Sequence, residues 1–329
     1  MWSLTQCAVQ GRSHIKNNVP CQDKTHTLTE NGVSVIALAD GAGSAPLSHY
    51  GAERVPELIC KTFANQFDEI FAKQDGTAVK QDLVNAVVDS LLVLSVEHAC
   101  DVKDLACTLL AVAVKDERFL LLHVGDGVIG YLKKETVKVA SAPTNGEFAN
   151  TTVFVTSKDA AKTMNLLKGN LNGIEGFVLM SDGSEASLYS KRENKLAQSL
   201  QRILRLSAIT PTEHMEKLLL ASFESKVRQA TNDDCSIAMM AKDLFGAKGF
   251  SSLDLKKQAS LLALSQRAKC EHIRRYALVL SYLKSPRTVE QISRKIHLKP
   301  QYTKRYLLRL LQLNFIETDG VRYVTTIRA

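Results

Sequence analysis

The sequence predicts an α+β protein in which helices pack on antiparallel sheets, with a winged helix-turn-helix at its C-terminal end. Three observations lead to this prediction. Of the 329 residues, 45% are hydrophobic, which is a globular composition. Apolar runs of strand length follow one another instead of alternating strictly with helices, which favours antiparallel sheets. Residues 250–329 show a helix, helix, turn, helix, hairpin pattern.

The predicted strands are short, rich in β-branched residues, and bounded by glycine, aspartate or charged residues. They cover residues 33–39, 107–115, 119–124, 128–132, 177–180 and 235–241.

Longer amphipathic runs predict the helices of the first part of the chain. Residues 48–71 place apolar side chains at helical spacing, with Pro56 in the first turn or at a kink. Residues 83–96 are so apolar that a helix there is expected to be buried on most sides. Residues 191–206 and 212–227 predict two further helices.

The distribution of charge divides the chain in two. The whole protein carries 42 lysines and arginines against 34 acidic residues, a net charge of +8. Residues 250–329 hold 16 basic and 5 acidic residues, a net of +11, which leaves −3 for the remainder. A linker-like composition around residues 243–254 predicts domains at 1–245 and 246–329.

The second predicted domain carries several local signals. A helical pattern runs to about residue 284, and Thr288 with Gln291 has the form of a capping box. Pro300 suits the first turn of a helix over residues 301–313. Asp319-Gly320 lies between two alternating runs, the strongest short hairpin signal.

Several classes of protein are excluded. The longest apolar stretch, residues 105–114, is about half the ~20 residues that a membrane span needs. No secretory signal is visible at the start of the chain, so a cytoplasmic protein is expected. None of the seven cysteines belongs to a C-x-x-C pair or a C-x5-R motif, which argues against a zinc or redox site and against a cysteine-nucleophile phosphatase. The glycine loop at residues 41–46 has Pro46 in its sixth position, which argues against a dinucleotide site.

Six aspartates lie at ends of predicted strands. Asp40, Asp126 and Asp182 follow strands, Asp233 and Asp234 precede the strand at 235–241, and Asp23 precedes a further run at 24–28. The carboxyl end of one antiparallel strand lies beside the amino end of its neighbour, so these side chains can converge on one rim. Clustered carboxylates repel one another unless they are protonated or neutralised. Hard divalent cations suit such a site, so two Mn²⁺ or Mg²⁺ ions sharing a bridging aspartate are predicted. For any one of these aspartates alone, an ordinary turn residue is the simpler interpretation.

An ordered set of short motifs accompanies these aspartates. It comprises Gly11-Arg12-Ser13-His14 with Cys21-Gln22-Asp23, Ala39-Asp40-Gly41-Ala42, Ala106-Cys107-Thr108-Leu109, His123-Val124-Gly125-Asp126, Ser181-Asp182-Gly183 and Asn232-Asp233-Asp234-Cys235. Over residues 3–241 this set resembles the metal-dependent serine/threonine phosphatases of the protein phosphatase 2C family, particularly its bacterial signalling branch. The resemblance implies a four-layer α-β-β-α sandwich of two antiparallel sheets, here followed by the small winged-helix domain.

The resemblance also implies roles for individual residues. Asp40 would bridge two ions, and the Gly41 carbonyl would bind one of them. Asp182 and Asp233 would hold the other, and Asp23 would act through a metal-bound water. Asp126 is the candidate ligand for a third ion, which is not expected because Ala186 stands where a partner aspartate is usual.

Three positions depart from the family pattern. Gln22 stands where many relatives have glutamate, and Ala42 where animal relatives have a proposed general-acid histidine. The family arginine that grips phosphate is absent at its usual spacing, which leaves Arg12 or His14 as candidates. His14 is equally well interpreted as a structural, hydrogen-bonded histidine. Residues 140–176 correspond to the variable flap of the family.

The leading hypothesis is therefore a phosphoprotein phosphatase that hydrolyses phosphoserine and phosphothreonine directly by metal-activated water. The catalytic residues would be Asp40, Asp182, Asp233 and His14. The alternative is a DNA-binding regulator with a degenerate, non-catalytic phosphatase-like sensor domain. Two roles are open for the basic winged helix. It binds DNA through a candidate surface formed by Gln301, Tyr302, Lys304, Arg305 and Arg309, or it serves as a dimerisation module or docks on an acidic surface.

Overall fold

The computed structural model describes residues 1–143, 152–243, 246–265 and 267–329. It separates into two compact units. The larger unit comprises residues 2–204 and 216–242, and the C-terminal unit comprises residue 1 with 205–215 and 243–329. The predicted flap over 140–176 and the linker over 243–254 lie partly outside the described residues, at 144–151 and 244–245.

Two five-stranded antiparallel sheets form the centre of the larger unit. The first sheet has the strand order β2-β3-β4-β5-β8. Its strands are β2 (Asp23–Glu30), β3 (Val33–Asp40), β4 (Leu109–Lys115), β5 (Arg118–Val124) and β8 (Asn165–Asn170). The second sheet has the order β1-β12-β9-β6-β7. Its strands are β1 (Trp2–Val9), β6 (Val128–Lys133), β7 (Thr136–Ser141), β9 (Ile174–Met180) and β12 (Cys235–Lys242).

Alternation along the strands builds two hydrophobic layers. In β3, Ile36 and Leu38 face the second sheet and pack with Phe177, Leu179 and Met240. The intervening residues of β3 point to the opposite face, as the two-residue period of a strand requires. There they join the core formed with the first long helices. The central strands β3, β4 and β5 are therefore buried on both faces, which is why they are apolar almost throughout.

Helices flank both sheets. Helices α2 (Ser48–Ala72) and α3 (Gly76–Glu97) cover the first sheet, and α1 (Arg12–Asn17), α4 (Ala160–Thr163) and α5 (Asp182–Leu188) are short. On the second sheet, Gly176 lies against Leu204 of α6 (Ser199–Ser207). Helix α7 (Thr212–Ser222) continues through a π-helical turn (Phe223–Val227) into α8 (Arg228–Ala230). The prediction of an α+β fold with two antiparallel sheets is confirmed.

Two helix predictions for the larger unit are wrong in part. The predicted helix over 191–206 begins only at Ser199, because β10 (Tyr189–Ser190) and β11 (Lys195–Leu196) form a hairpin with Asn194 in the left-handed region at φ 49°. Helix α3 is not buried on most sides: the side chains of Leu92, Val93 and Val96 are exposed.

The C-terminal unit contains the short helical segment Gly246–Ser252, followed by α9 (Leu255–Leu261), α10 (Cys270–Tyr282), α11 (Val289–Ile296) and α12 (Pro300–Gln312). The continuous helical pattern predicted to residue 284 is thus divided, with Ala263 in the left-handed region just after α9. A small antiparallel sheet has the order β13-β15-β14, from β13 (Arg287–Thr288), β14 (Ile316–Thr318) and β15 (Arg322–Thr325). The capping box of Thr288 and Gln291 is present at the start of α11.

The core of the C-terminal unit is formed by residues from all its helices. Phe250 and Phe315 pack edge to face, with ring centroids 6.0 Å apart. Leu280, Ile292 and Leu310 are fully buried in the same core. In the part of the chain that the structure describes, no helix is long and apolar enough to cross a membrane.

Candidate active site

Three carboxylates of the larger unit meet at one rim of the paired sheets. Asp40 is the last residue of β3, Asp126 lies in the turn between β5 and β6, and Asp182 is the first residue of α5 after β9. One carboxylate oxygen from each lies within 4.8 Å of those of the other two. The antiparallel arrangement thus brings together side chains that are far apart in the sequence.

Asp23 and Asp233 lie beside this group. Asp23 is paired with Asp40 across strands β2 and β3 and is 1% exposed. Its negative charge, with those of Asp182 and Asp233, raises the pKa of Asp40. We use the term carboxylate cluster for Asp23, Asp40, Asp126, Asp182 and Asp233.

Burial and mutual repulsion perturb the acidity of the carboxylate cluster. Burial is the largest influence on Asp40 and, together with the neighbouring charges, raises its pKa well above the usual range. Burial and the charges of Asp126 and Asp233 raise the pKa of Asp182. Burial raises the pKa of Asp23 to about 7, although the hydroxyls of Ser181 and Ser236 act in the opposite direction. These carboxylates therefore require protons or a cation.

The donor set fits a hard divalent cation. Both oxygens of Asp23 and the Oδ1 atom of Asp182 are buried, and none of the three makes a hydrogen bond of regular geometry with a described residue. Buried carboxylate oxygens without donors are costly unless another charge satisfies them. An all-oxygen set of this kind matches Mg²⁺ or Mn²⁺ better than softer metals.

Asp234 has a different environment from the neighbouring Asp233. Its carboxylate accepts hydrogen bonds from the backbone N–H groups of Gly11, at 2.6 Å, and Gln22, at 2.5 Å. The Nδ1 atom of His14 lies 2.9 Å from the same carboxylate. Asp234 thus fastens the segment before β2 to the start of β12. His14 was predicted as a catalytic residue. Among the described residues, its side chain pairs with Asp234 and with no member of the carboxylate cluster.

Backbone hydrogen bonds fix the loop that carries Asp40 and Gly41. The Asp40 N–H donates to the Thr108 hydroxyl at 2.9 Å, and the Thr108 N–H donates to the Asp40 carbonyl at 2.8 Å. The Gly41 N–H donates to the Gln22 carbonyl at 3.1 Å. A methyl group at Gly41 would lie 2.8 Å from the Ser48 hydroxyl, so the position is sterically restricted to glycine.

The other candidate phosphate contact, Arg12, is bound to backbone and amide groups next to Asp233. Its Nε donates to the Thr231 carbonyl at 2.9 Å, and its Nη2 donates to the Asn232 side chain at 3.1 Å. The guanidinium is exposed there. Arg12 therefore lies near Asp233 in the described structure.

Three neighbours of the cluster were not among the predicted site residues. The Thr152 hydroxyl donates to Asp126 at 2.5 Å, and Glu185 pairs with Lys191 at 2.7 Å. Glu185 follows Asp182 by three residues, and residues at this spacing lie on the same face of a helix. This spacing could have identified Glu185 as a neighbour of Asp182. Lys191 was predicted within a helix, whereas it lies in the β10–β11 hairpin. No pattern in the sequence indicated that hairpin.

In the C-terminal unit, four of the five predicted nucleic-acid contacts are exposed on α12: Gln301, Tyr302, Lys304 and Arg305. Arg305 stacks over the Tyr302 ring at 5.6 Å. Arg309 is placed differently, because its guanidinium donates to the Leu262 carbonyl at 2.9 Å and to the Ala263 carbonyl. Arg309 thus donates hydrogen bonds to backbone carbonyls just after α9. Its guanidinium is therefore not directed outward toward a nucleic acid.

Comparisons with known proteins concern mainly the larger unit. A family model described as Protein phosphatase 2C matches residues 10–220. Serine/threonine-protein phosphatase 3 of Escherichia coli K12 is 24% identical over 256 residues, which cover 72% of this chain and 97% of that protein. The crystal structure of a bacterial serine phosphatase aligns with a TM-score of 0.53 at 14% identity, covering 73% of this chain and 98% of that one. A mutant form of a bacterial serine phosphatase aligns over the same shares of the two chains with a TM-score of 0.51 at 14% identity.

Proposed function

The chain belongs to the protein phosphatase 2C family, and from this premise we propose that its carboxylate cluster hydrolyses phosphoserine and phosphothreonine esters with two bound Mn²⁺ or Mg²⁺ ions. The protein is a serine/threonine phosphoprotein phosphatase. The observation that carries the proposal is the approach of oxygens from Asp40, Asp126 and Asp182 to within 4.8 Å of one another.

The residues that would hold the ions follow from the family pattern. Asp40 would be shared between both ions, with Gly41 and Asp23 on one side and Asp182 and Asp233 on the other. Asp126 lies next to Asp40 and Asp182 and extends the acidic surface. When bound, such ions neutralise the phosphoryl oxygens and activate water for direct attack on phosphorus.

The chain's own contribution is to orient these carboxylates and to limit their contact with water. Thr108 fixes the backbone on both sides of the Asp40 peptide unit. Asp234 holds the start of β12 and with it Asp233, whose carboxylate accepts a hydrogen bond from the Asp234 N–H at 2.8 Å. Phe154 packs against Ala42, Ala45 and Ala106, which forms an apolar wall next to the Asp40 loop. A low local dielectric strengthens the attraction between bound cations and a phosphoryl group.

Activity measurements on single variants test this proposal. Wild-type protein is expected to release phosphate from a phosphothreonine peptide with Mn²⁺ and to lose that activity with EDTA. Asp40→Asn is expected to lower kcat by roughly 100-fold or more, because a charge that stabilises the transition state through the cations is removed. Asp89→Asn, an exposed carboxylate of α3, is the matched control and should leave activity unchanged. Activity that persists in EDTA or in Asp40→Asn would contradict the proposal.

We also infer that residues 246–329, which make up most of the C-terminal unit, form a winged helix-turn-helix domain. Its elements follow the order α10, β13, α11, α12, β14, β15, with a three-stranded antiparallel sheet beside three helices. The Ser293 hydroxyl donates to Thr303 at 2.9 Å, which joins the two helices of the expected helix-turn-helix. Separate expression of residues 246–329 as a cooperatively folding fragment would support this boundary, and an unfolded fragment would argue against it.

A second candidate function, DNA binding, is favoured by one specific observation. Lys304 and Arg305 are exposed together on α12, which is the position of a groove-reading helix in such domains. We expect a labelled duplex to bind the full chain with an affinity that falls steeply as salt increases. Lys304→Ala/Arg305→Ala should weaken binding, whereas Lys256→Ala on α9 should not.

The alternative of a non-catalytic sensor makes a different prediction from the leading proposal. A degenerate sensor would bind the duplex but release no phosphate under any metal condition. An enzyme with a docking domain would release phosphate whether or not the duplex binds. Binding that is insensitive to both salt and the Lys304→Ala/Arg305→Ala change would rule out the DNA interface.

A further inference from the structure

A charged pair beside the carboxylate cluster has no role in the proposed metal site. Glu185 lies in α5, one helical turn after Asp182, and Lys191 follows β10 in the adjoining hairpin. The Lys191 ammonium lies 2.7 Å from Glu185 Oε2. The Glu185 side chain is 7% exposed and that of Lys191 is 65% exposed. One end of the pair is therefore buried in the fold and the other reaches solvent.

Glu185 is an anchored carboxylate. Its second oxygen, Oε1, is buried and has no hydrogen-bond donor among the described residues. Burial raises the pKa of Glu185 to about 7, and the ion pair with Lys191 opposes that rise. A buried carboxylate whose only described charged partner is a flexible lysine holds that lysine near one position, because separating them would leave a buried charge uncompensated.

Lys191 is positioned within the field of the carboxylate cluster. The hydrogen bond with Glu185 is the main cause of the raised pKa of Lys191. The negative charges of Asp182 and Asp126 also raise the pKa of Lys191, and they raise that of Glu185 as well. The ammonium thus favours its charged form. An exposed cation held by a side chain that lies one helical turn from Asp182 can attract and orient an anion.

Resting on the proposed function, we propose that Lys191, anchored by Glu185, binds an anionic group of the phosphorylated substrate. That group is either the phosphoryl group itself or a carboxylate beside the phosphorylated residue. Either source presents oxygens to a lysine that acts as a compact point charge. Lys191 is thus a substrate-binding residue that this chain supplies from the β10–β11 hairpin.

A steady-state comparison of lysine variants tests this role. Lys191→Met retains the length of the side chain and removes the charge. It is expected to raise KM about tenfold, equivalent to about 1.4 kcal/mol of binding, while kcat changes less than about twofold. Lys195→Met is the matched control, because Lys195 lies on the same hairpin and pairs with the exposed Glu193 at 3.3 Å. Lys191→Arg should retain most of the affinity.

Three substrates separate the two sources of the anion. p-Nitrophenyl phosphate offers only the phosphoryl group, and phosphothreonine peptides with neutral or acidic flanks offer the same group with or without carboxylates. An equal rise in KM for all three identifies the phosphoryl group. A rise confined to the acidic peptide identifies a flanking carboxylate.

A double variant distinguishes substrate binding from a merely structural ion pair. Glu185→Gln/Lys191→Met removes both charges and leaves no buried carboxylate unpaired. If Lys191 only neutralised Glu185, the double variant would recover the wild-type KM. We expect its KM to stay raised. A KM for Lys191→Met equal to that of Lys195→Met, or recovery in the double variant, would overturn the proposal. Absence of activity in the wild type would instead contradict the proposed function.

Discussion

Neighbouring aspartates at positions 233 and 234 have different roles because one is exposed and the other is buried. Asp233 is exposed and contributes its charge to Asp40 and Asp182. Asp234 is 2% exposed and accepts two backbone N–H groups while contacting His14. Charge-assisted hydrogen bonds to a buried carboxylate are among the stronger polar interactions in proteins. Asp234 thus has a structural role, whereas Asp233 is one of the proposed metal ligands.

Substitution of each aspartate by asparagine separates these roles. Asp234→Asn replaces an acceptor oxygen with an N–H₂ group that faces backbone donors, so we expect the free energy of unfolding to fall by about 3 kcal/mol. Asp233→Asn should change stability by less than about 0.5 kcal/mol and yet abolish most phosphatase activity. Urea unfolding and phosphate release measure the two effects. Equal losses of stability in both variants would contradict this division.

His123 is a buried neutral histidine two residues before Gly125. Its side chain is fully buried, and Nδ1 lies 2.7 Å from the Ser141 hydroxyl, which also accepts a hydrogen bond from Asn165 at 3.0 Å. Burial lowers the pKa of His123 from 6.5 to about 4. The unfolded chain therefore binds a proton at a higher pH than the folded protein does.

This difference in pKa predicts the direction of a pH effect. The stability that His123 contributes is fully present above pH 6.5 and is lost as the pH falls toward 4. Between pH 7.5 and 5 the loss is about 2 kcal/mol for this residue. Urea unfolding of the wild type and of His123→Asn at both pH values measures this loss. The difference between the two proteins is due to His123, because the other groups titrate in both. Identical changes with pH in the two proteins would contradict the assignment.

At the scale of single residues, the sequence predicts the carboxylate cluster better than its surroundings. Asp40, Asp126 and Asp182 each follow an apolar strand, and strand ends in an antiparallel sheet share a rim. The partners of Arg309 and Lys191 depend on a helix end and a hairpin that become adjacent only in the folded chain. Neither contact leaves a periodic signal in the sequence.

At the scale of elements, the junction between α5 and β12 depends on a glycine. A methyl group at Gly183 would lie 1.9 Å from the Asp234 carbonyl oxygen. This contact brings the first turn of α5, with Asp182, against the start of β12. Close approach of two backbones at this point places carboxylates from both elements at the same rim.

Gly183→Ala is therefore expected to separate these two elements. We expect a loss of at least about 2 kcal/mol in the free energy of unfolding, since backbone must shift to admit the methyl group. Phosphate release should fall by roughly tenfold or more as Asp182 moves away from Asp40. Gly43→Ala is the matched control in the Asp40 loop, where no atom lies within 4 Å of the added methyl group. Wild-type activity in Gly183→Ala would contradict this interpretation.

The strands that sequence patterns missed have a common physical reason. β1 alternates correctly, but two of its inward positions are Ser3 and Thr5, which are buried polar residues. β7 and β8 are edge strands and carry lysine, threonine and asparagine residues at exposed or half-exposed positions. Hydrophobic periodicity detects central strands because both of their faces are buried, and it fails at edges where one face is solvated.

Helix predictions failed where tertiary contacts decided the outcome. The apolar residues of α3 predicted burial on most sides, yet Leu92, Val93 and Val96 are exposed. The break after α9 follows Leu262, whose carbonyl is satisfied by Arg309 from a distant helix. By contrast, the capping box at Thr288 was recognisable because all of its hydrogen bonds are local.

At the scale of the whole molecule, the total charge of +8 describes neither unit well. Residues 250–329 carry +11, and the remainder carries −3. The acidic balance of the larger unit includes the carboxylate cluster, which would be electrostatically unfavourable at neutral pH without cations. The charge division thus separates the unit that contains the carboxylate cluster from a strongly basic unit.

Direct measurement of Mn²⁺ binding by titration calorimetry tests most sharply whether the carboxylate cluster is a metal centre. The wild-type protein and Asp89→Asn should bind Mn²⁺ equally. Asp40→Asn should bind it at least about tenfold more weakly, because the shared ligand loses its charge. Equal binding by Asp40→Asn and wild type, or no binding by the wild type, would contradict the proposal that this cluster holds the catalytic ions.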